Sequence, residues 1–275
     1  MKKITILKIG GELLNDKKSA ESLFSAISQM ISEGQKIVIV HGGGAQVDDV
    51  CNKLGIKIKK VNGRRITDGM TLEIIKMVFG GLINTDLVAL AIKNKINAFG
   101  FTGISGNLVS VSKRPPKMIV DQQTGVLKEV NFGYVGDIKN INIKMLENLI
   151  ELDFVPIVAC LGIGTEGQVF NVNADTLATG IASALKADKL IFVSDVRGVI
   201  ENQNVLKSIT VGQAKEMIKT KKITDGMIPK IENVETALSM GVSHVQILGC
   251  LKNKNDWLNA INNFSFGTVI TGGKL

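Results

Sequence analysis

The first fifty-five residues alternate short β-branched runs with helical stripes. Residues 4–9 form an apolar run that ends in Gly10 and Gly11, and Leu23, Ile27, Met30 and Ile31 then recur at helical spacing until Gly34 stops them. A second run, residues 36–41, ends in Gly42, Gly43 and Gly44 and passes into Val47, Val50, Cys51 and Leu54, again at helical spacing. Two strands with a helix between them predict a βαβ unit, hence parallel strands and a right-handed crossover. Residues 56–61 read as a further strand, Asn62 to Gly69 as a polar loop, and 71–94 as a long amphipathic helix interrupted by Gly80 and Gly81. Glycines there weaken a helix unless another backbone packs closely, which suits a self-association face.

The same alternation continues to the end of the chain. It predicts a strand over 96–101, exposed hairpins over 113–139, a helix over 143–152 and a strand over 155–160. A helix starting at Asn173-Ala174-Asp175 and running to Leu185 follows, with either acidic or amide side chain as its start signal. Strand 189–193, helices 211–219 and 229–240, strand 244–248, a helix about 257–261 and a last strand 268–270 complete an α/β pattern without internal repeats.

A length of 275 residues suits one large domain or two closely joined lobes, and 45% hydrophobic residues with 4 prolines indicate a well-cored globule. The chain enters a strand at once, without a charged-then-apolar leader, and no run reaches the length of an uninterrupted apolar span; the expectation is a cytoplasmic protein without membrane association. Cys51, Cys160 and Cys250 lie far apart in apolar surroundings and read as small core residues, not as zinc ligands. A net charge of +8 suits nucleic acid, an acidic protein or anionic metabolites; no dense basic run is interleaved with aromatics, so nucleic acid is the weakest of the three.

The glycine junctions carry the first candidate chemistry. Glycine lets a backbone approach a ligand closely, and a helix N-terminus offers unpaired N–H groups, so each junction suits phosphate; each alone is also an ordinary tight turn. Neither follows the Walker spacing or G-x-G-x-x-G. Lys8, inside an apolar strand, calls for an anionic partner unless it lies at a sheet edge. Arg64 and Arg65 are solvent charges or a carboxylate clamp. Asp175 reads alone as a helix cap, Asp195 as a strand-end carboxylate, and Lys230 as a surface lysine. His41, at a strand end, reads as a satisfied structural residue and not as a proton carrier.

Taken together, Lys8-Ile-Gly-Gly11, His41-Gly-Gly-Gly44, Asn62-Gly-Arg-Arg65-Ile-Thr, Asn171-Val-Asn-Ala-Asp175, Ser194-Asp195-Val-Arg-Gly198 and Ile223-Thr-Asp-Gly-Met-Ile-Pro-Lys230 resemble the amino acid kinase family, in family order over nearly the whole chain. The resemblance implies a three-layer αβα sandwich on a mainly parallel open sheet, with an acyl-amino-acid and dimerisation lobe over 1–173 and an ATP lobe over 174–275. It implies phosphorylation of the γ-carboxylate of N-acetyl-L-glutamate by ATP with Mg²⁺, in arginine biosynthesis. Lys8 and Lys230 would neutralise the phosphoryl group, Asp175 would hold both lysines, and Gly10, Gly11, Gly43 and Gly44 would cradle the phosphoryl. Arg65 and Asn171, with Gly43 and Gly44, would bind the acyl amino acid; Asp195, Gly198, Asp225, Gly226 and Met227 would bind nucleotide, and no side chain is expected to ligate metal directly. The nearest alternatives are a kinase for carrier-protein-linked glutamate or α-aminoadipate, and a ligand-sensing relative without turnover. Arginine-inhibited family members resemble one another in a helix ahead of the first strand, so the expectation here is an arginine-insensitive homodimer formed through 71–94.

Overall fold

Apolar runs with no polar face need a sheet covered on both sides, and a parallel sheet between helices supplies one. In the computed structural model, residues 3–120, 125–224 and 226–273 are described. The central sheet has eight strands: β1 Ile4–Ile9, β2 Lys36–His41, β3 Ala98–Thr102, β4 Val155–Ala159, β5 Lys189–Ser194, β6 Ser208–Thr210, β7 His244–Gly249 and β8 Thr268–Thr271. Their order is β6-β8-β7-β5-β1-β2-β4-β3, and β7 with β8 is the single antiparallel pair among the seven. The first strand therefore lies near the middle, between β2 and β5, with Lys8 opposite Val40 on one side and Phe192 on the other.

The helices are α1 Gly11–Asn15, α2 Lys17–Ser32, α3 Gly44–Lys53, α4 Gly69–Ile75, α5 Asn84–Lys93, α6 Ile143–Glu151, α7 Ala174–Ala184, α8 Val211–Lys219, α9 Met227–Ser239 and α10 Lys254–Asn263. Of these, α2 packs between α5 and α10 over one face, while α7 and α9 cover the other, α7 lying across β1, β2 and β5. The result is the three-layer αβα sandwich. A smaller sheet of Val169–Asn171, Leu161–Ile163, Val109–Lys113 and Gly136–Ile141 stands beside it, with two hairpins, Lys60–Val61 with Arg64–Arg65 and Lys117–Val120 with Leu127–Val130. Asn62 Nδ2 donates to the Val120 carbonyl at 2.9 Å and so ties the hairpins together.

Three local expectations change. The strand over 56–61 shrinks to Lys60–Val61, because the polar loop after it is a hairpin turn: Asn62 and Gly63, at φ 46° and 74°, occupy the two left-handed positions that reverse the chain tightly. Residues 69–93 run as one helix, without a break at Gly80 and Gly81. Its middle, Lys76–Ile83, is π-helical, and Gly80 lies against β3 where a Cβ would stand 3.1 Å from Thr102 Cγ2. This helix is long and apolar enough to cross a membrane by length and composition alone, at mean hydropathy 1.6; here α5 is packed on β3 and β4. Cys51 and Cys160 are buried as expected, whereas Cys250 sits half-buried just beyond β7.

Candidate active site

Parallel strands present their carboxyl ends along one edge, where the turns into the following helices converge. Here the turns after β1 and β2 are the glycine junctions. Gly43 precedes α3 at φ 154°, and a Cβ there would stand 2.0 Å from Ile83 Cδ1, so only glycine fits. Gly42 lies against the start of α7, a Cβ there meeting that of Ala174 at 3.3 Å. At that helix start the cap is Asn173, whose Oδ1 accepts from the Thr176 N–H at 2.9 Å. Asp175 is therefore not the cap, and its carboxylate is free for another role.

That role is an ion-pair bridge. Lys8 Nζ meets Asp175 Oδ1 at 2.8 Å, and Lys230 Nζ, from the first turn of α9, meets Asp175 Oδ2 at 2.9 Å. Side-chain exposures of 13% for Lys8, 17% for Asp175 and 9% for Lys230 exclude both the edge-strand and the surface-lysine readings. Burial alone would raise the Asp175 carboxyl, but the two ammonium groups outweigh it and hold it at about 2. The Lys230 ammonium also sits 5.3 Å from the centre of the Phe192 ring, which adds cation–π attraction. Two cations around one carboxylate leave a net positive charge inside a partly enclosed edge of the sheet.

Two cavities meet there. The first, about 1240 Å³, is lined by Lys8, Gly10, Gly11, Gly42 to Gly44, Arg65, Asn171 and Asp175. The second, about 820 Å³, is lined by Lys8, Gly10, Gly11, Asp195, Gly198, Gly226, Met227 and Lys230, with Val196, Val199, Ile200 and Ile223 as apolar walls. Lys8, Gly10, Gly11 and Gly226 belong to both, so the Lys8–Asp175–Lys230 bridge marks their junction. Gly198 closes the second cavity's turn at φ 151°, with Thr268 Oγ1 2.6 Å from where a Cβ would lie. The structure thus gathers the sequence candidates into two sets around one cationic centre. Asp225 lies outside the described residues. Among the described residues no cluster of three His, Cys, Asp or Glu side chains forms a metal cage.

The sequence reading missed the partners of Arg65 and Asn171. Arg65 Nη1 pairs with Asp48 Oδ1 at 2.7 Å and its Nη2 donates to the Gly44 carbonyl at 2.9 Å, while Lys60 Nζ meets Asp48 Oδ2 at 2.7 Å. Burial raises the Asp48 carboxyl, and the bonds from Lys60 and Arg65 more than reverse this, leaving its pKa lowered. Arg65 thus waits already oriented against the helix that the glycines begin, and not as a free clamp. Asn171 Nδ2 donates to the buried Thr67 Oγ1 at 3.2 Å. The only sequence signal for these was Asp48 in the first turns after the glycine junction, and its partners depend on where the hairpin folds.

The Asp175 shift has a measurable consequence. A carboxyl lowered from 3.8 to about 2 contributes stability that is complete above the unfolded value and is lost as pH falls through the folded one. The increment is on the order of 2 kcal/mol. Asp175→Asn, which leaves two buried lysines without a counter-charge, is expected to unfold at lower urea concentration than the unsubstituted chain near neutral pH. The gap between the two should narrow as pH falls from 3.8 to about 2; a gap independent of pH would disprove the linkage.

Comparison with known proteins agrees with this arrangement. The amino acid kinase family matches residues 3–249. The acetylglutamate kinase of Sorangium cellulosum (strain So ce56) is 37% identical over 269 residues, covering 96% of this chain and 93% of that one. The acetylglutamate kinase of Aquifex aeolicus (strain VF5) is 35% identical over 273 residues, covering 98% and 92%. Among solved structures, smu.665 from Streptococcus mutans UA159 superposes with a TM-score of 0.79 at 33% identity, covering 99% of this chain and all of that one (100%). Giardia carbamate kinase, at TM-score 0.68 and 17% identity over 99% of both chains, shares the fold. Matched over residues 3–249 and 37% identical to a full-length relative over 96% of its own length, the chain belongs to the amino acid kinase family.

Proposed function

We propose that this chain transfers the γ-phosphoryl group of ATP to the γ-carboxylate of N-acetyl-L-glutamate, a step of arginine biosynthesis, in the cytoplasm. The observation that carries the reading is the Lys8–Asp175–Lys230 bridge at the junction of two cavities. The choice of substrate is supported by full-length similarity to proteins named acetylglutamate kinase. The acyl amino acid occupies the cavity of Arg65 and Asn171, the nucleotide that of Asp195, Gly198, Gly226 and Met227, and the phosphoryl group passes between them at Lys8.

The chemistry needs little more than position and charge. A γ-carboxylate oxygen, already ionised at neutral pH, attacks the γ-phosphorus; the bond to the β–γ bridging oxygen breaks and its electron pair leaves with ADP. No proton moves. Lys8 and Lys230 offset the charge on the transferring oxygens, and the N–H groups of Gly11, Gly43 and Gly44 donate to them. Asp175 keeps the two ammonium groups from spreading apart. Mg²⁺, when bound, screens the phosphate charge; Glu12 and Asp195 are the carboxylates among the described lining of the nucleotide cavity, too few for a protein cage and suited to an ion carried mainly on phosphate oxygens.

Hydroxylamine trapping of the acyl phosphate tests the substrate: turnover with free N-acetyl-L-glutamate is expected. Phosphorylation confined to carrier-linked glutamate or α-aminoadipate would overturn the reading. Lys8→Ala and Lys230→Ala should each lower kcat by about 100-fold or more, because their charge matters most in the transition state. Arg65→Ala should raise KM for the acyl amino acid far more than for ATP; equal effects would remove Arg65 from the carboxylate site. A homodimer through the helix 69–93 is supported by its exposed Met70, Met77, Leu82 and Ile92. Light scattering at twice the chain mass is the expected result, and a monomer across micromolar concentrations would refute it.

A further inference from the structure

His41, at the carboxyl end of β2, is a titratable group that the proposed chemistry leaves unused. It is fully buried at the end of β2, between two hydrogen bonds. Nδ1 lies 2.9 Å from the carbonyl of Gly42, and Nε2 lies 3.0 Å from Asn84 Nδ2. The same Asn84 Nδ2 reaches the Ile157 carbonyl at 3.0 Å, and a carbonyl only accepts, so this end of the amide is the NH₂. Nε2 must then be the acceptor, and the ring proton sits on Nδ1, donated to Gly42. Burial drives the imidazole pKa down to about 4, against a smaller upward pull from the Gly42 bond, so the ring is neutral at working pH.

The Gly42 carbonyl shares its peptide plane with the Gly43 N–H. In a trans peptide these groups point in opposite directions, so fixing one aims the other. No cis peptide occurs among the described residues. We propose that His41 is a positioning residue: by gripping the Gly42 carbonyl it aims the Gly43 N–H at the transferring phosphoryl group, and Asn84 sets the tautomer that makes this possible. The proposal rests on the phosphoryl cradle assigned above. A donated hydrogen bond also polarises the shared peptide and strengthens its N–H as a donor. The π-helical stretch Lys76–Ile83 serves the same end. It runs directly into Asn84, and its Phe79 and Ile83 close on Gly43, where a Cβ would lie 3.2 Å from Phe79 Cε1. Asn84 is itself held in place from the sheet, since a Cβ at Gly100 would stand 2.3 Å from its Oδ1.

The chain has 2 histidines, so long-range ¹H–¹⁵N spectra of the unsubstituted protein resolve the tautomer without a variant or activity. The Nδ1–H form is expected for His41, and an Nε2–H or charged ring would overturn the proposal. His41→Asn and Asn84→Leu should each lower kcat about 10- to 100-fold, the size of loss that a misplacement of about 1 Å brings, with KM for ATP and for the acyl amino acid nearly unchanged. The double variant should lose no more than the worse single, because both act through one carbonyl. Folded variants with kcat within twofold of the unsubstituted chain would refute the role. Should the substitutions prevent folding, the amide signal of Gly43 in the unsubstituted protein decides: it should shift on adding ADP, Mg²⁺ and aluminium fluoride, and no shift counts against. Absence of turnover in the unsubstituted protein would instead strike the proposed function and leave the tautomer result standing.

Discussion

One carboxylate with two ammonium groups sets the terms for everything around it. Burying three charges is costly unless each is paired, and Asp175 pairs both lysines at once. The arrangement requires Lys8 at the end of a central strand, Asp175 in the first turn of α7 and Lys230 in the first turn of α9. Those helices must therefore lie side by side on one face of the sheet, as they do, α7 over β1 and α9 over β7. The net positive charge that remains favours an anion at this spot. The charge that makes the bridge expensive to bury is also what a transferring phosphoryl group would find there.

The glycines and the buried network behind them meet a different constraint, that of turning the chain between strand and helix where side chains have no room. Gly43 has no room for a Cβ because Ile83 and Phe79 press on it, and those residues come from a helix whose hydrogen-bond pattern widens at that level. An ordinary α-helical turn would carry Asn84 around to a different bearing. Packing behind the turn and aim in front of it are thus two sides of one arrangement, with His41 between them.

Much of this was legible in the sequence. Periodicity identified the strands of the central sheet except the three-residue edge strand β6, too short to show alternation, and most of the helices, and a lysine inside an apolar strand called for an anionic partner unless the strand lay at an edge. The identity of that anion was less accessible from local pattern, because Asp175 reads equally well as a cap until Asn173 is seen to do that work. Asn62-Gly63 carried turn chemistry, yet the two-residue strands beside it are too short for period-2 alternation to show. The Asp48 pairs with Arg65 and Lys60 were invisible for the same reason: they depend on where a short hairpin settles over α3. Gly80-Gly81 read as a break because helix propensity is local, whereas close packing of Gly80 on β3 is tertiary and prevails.

The strand order also governs when the molecule becomes competent during synthesis. The first strand made is a central one, and Thr5 must wait for Lys189 before its second edge is paired. The last strand, β8, runs against its neighbour β7 and brings Thr268 back to the ligand edge. There its hydroxyl accepts from the Val199 N–H at 2.8 Å and donates to the Leu206 carbonyl at 2.6 Å, fastening the wall of the second cavity. Closure of that wall joins residues 69 and 62 positions apart in sequence, and pairings so distant form slowly. Strands β2, β3 and β4 all precede β5 in the chain, so the β1–β2–β4–β3 half of the sheet can pair before the wall of the second cavity closes.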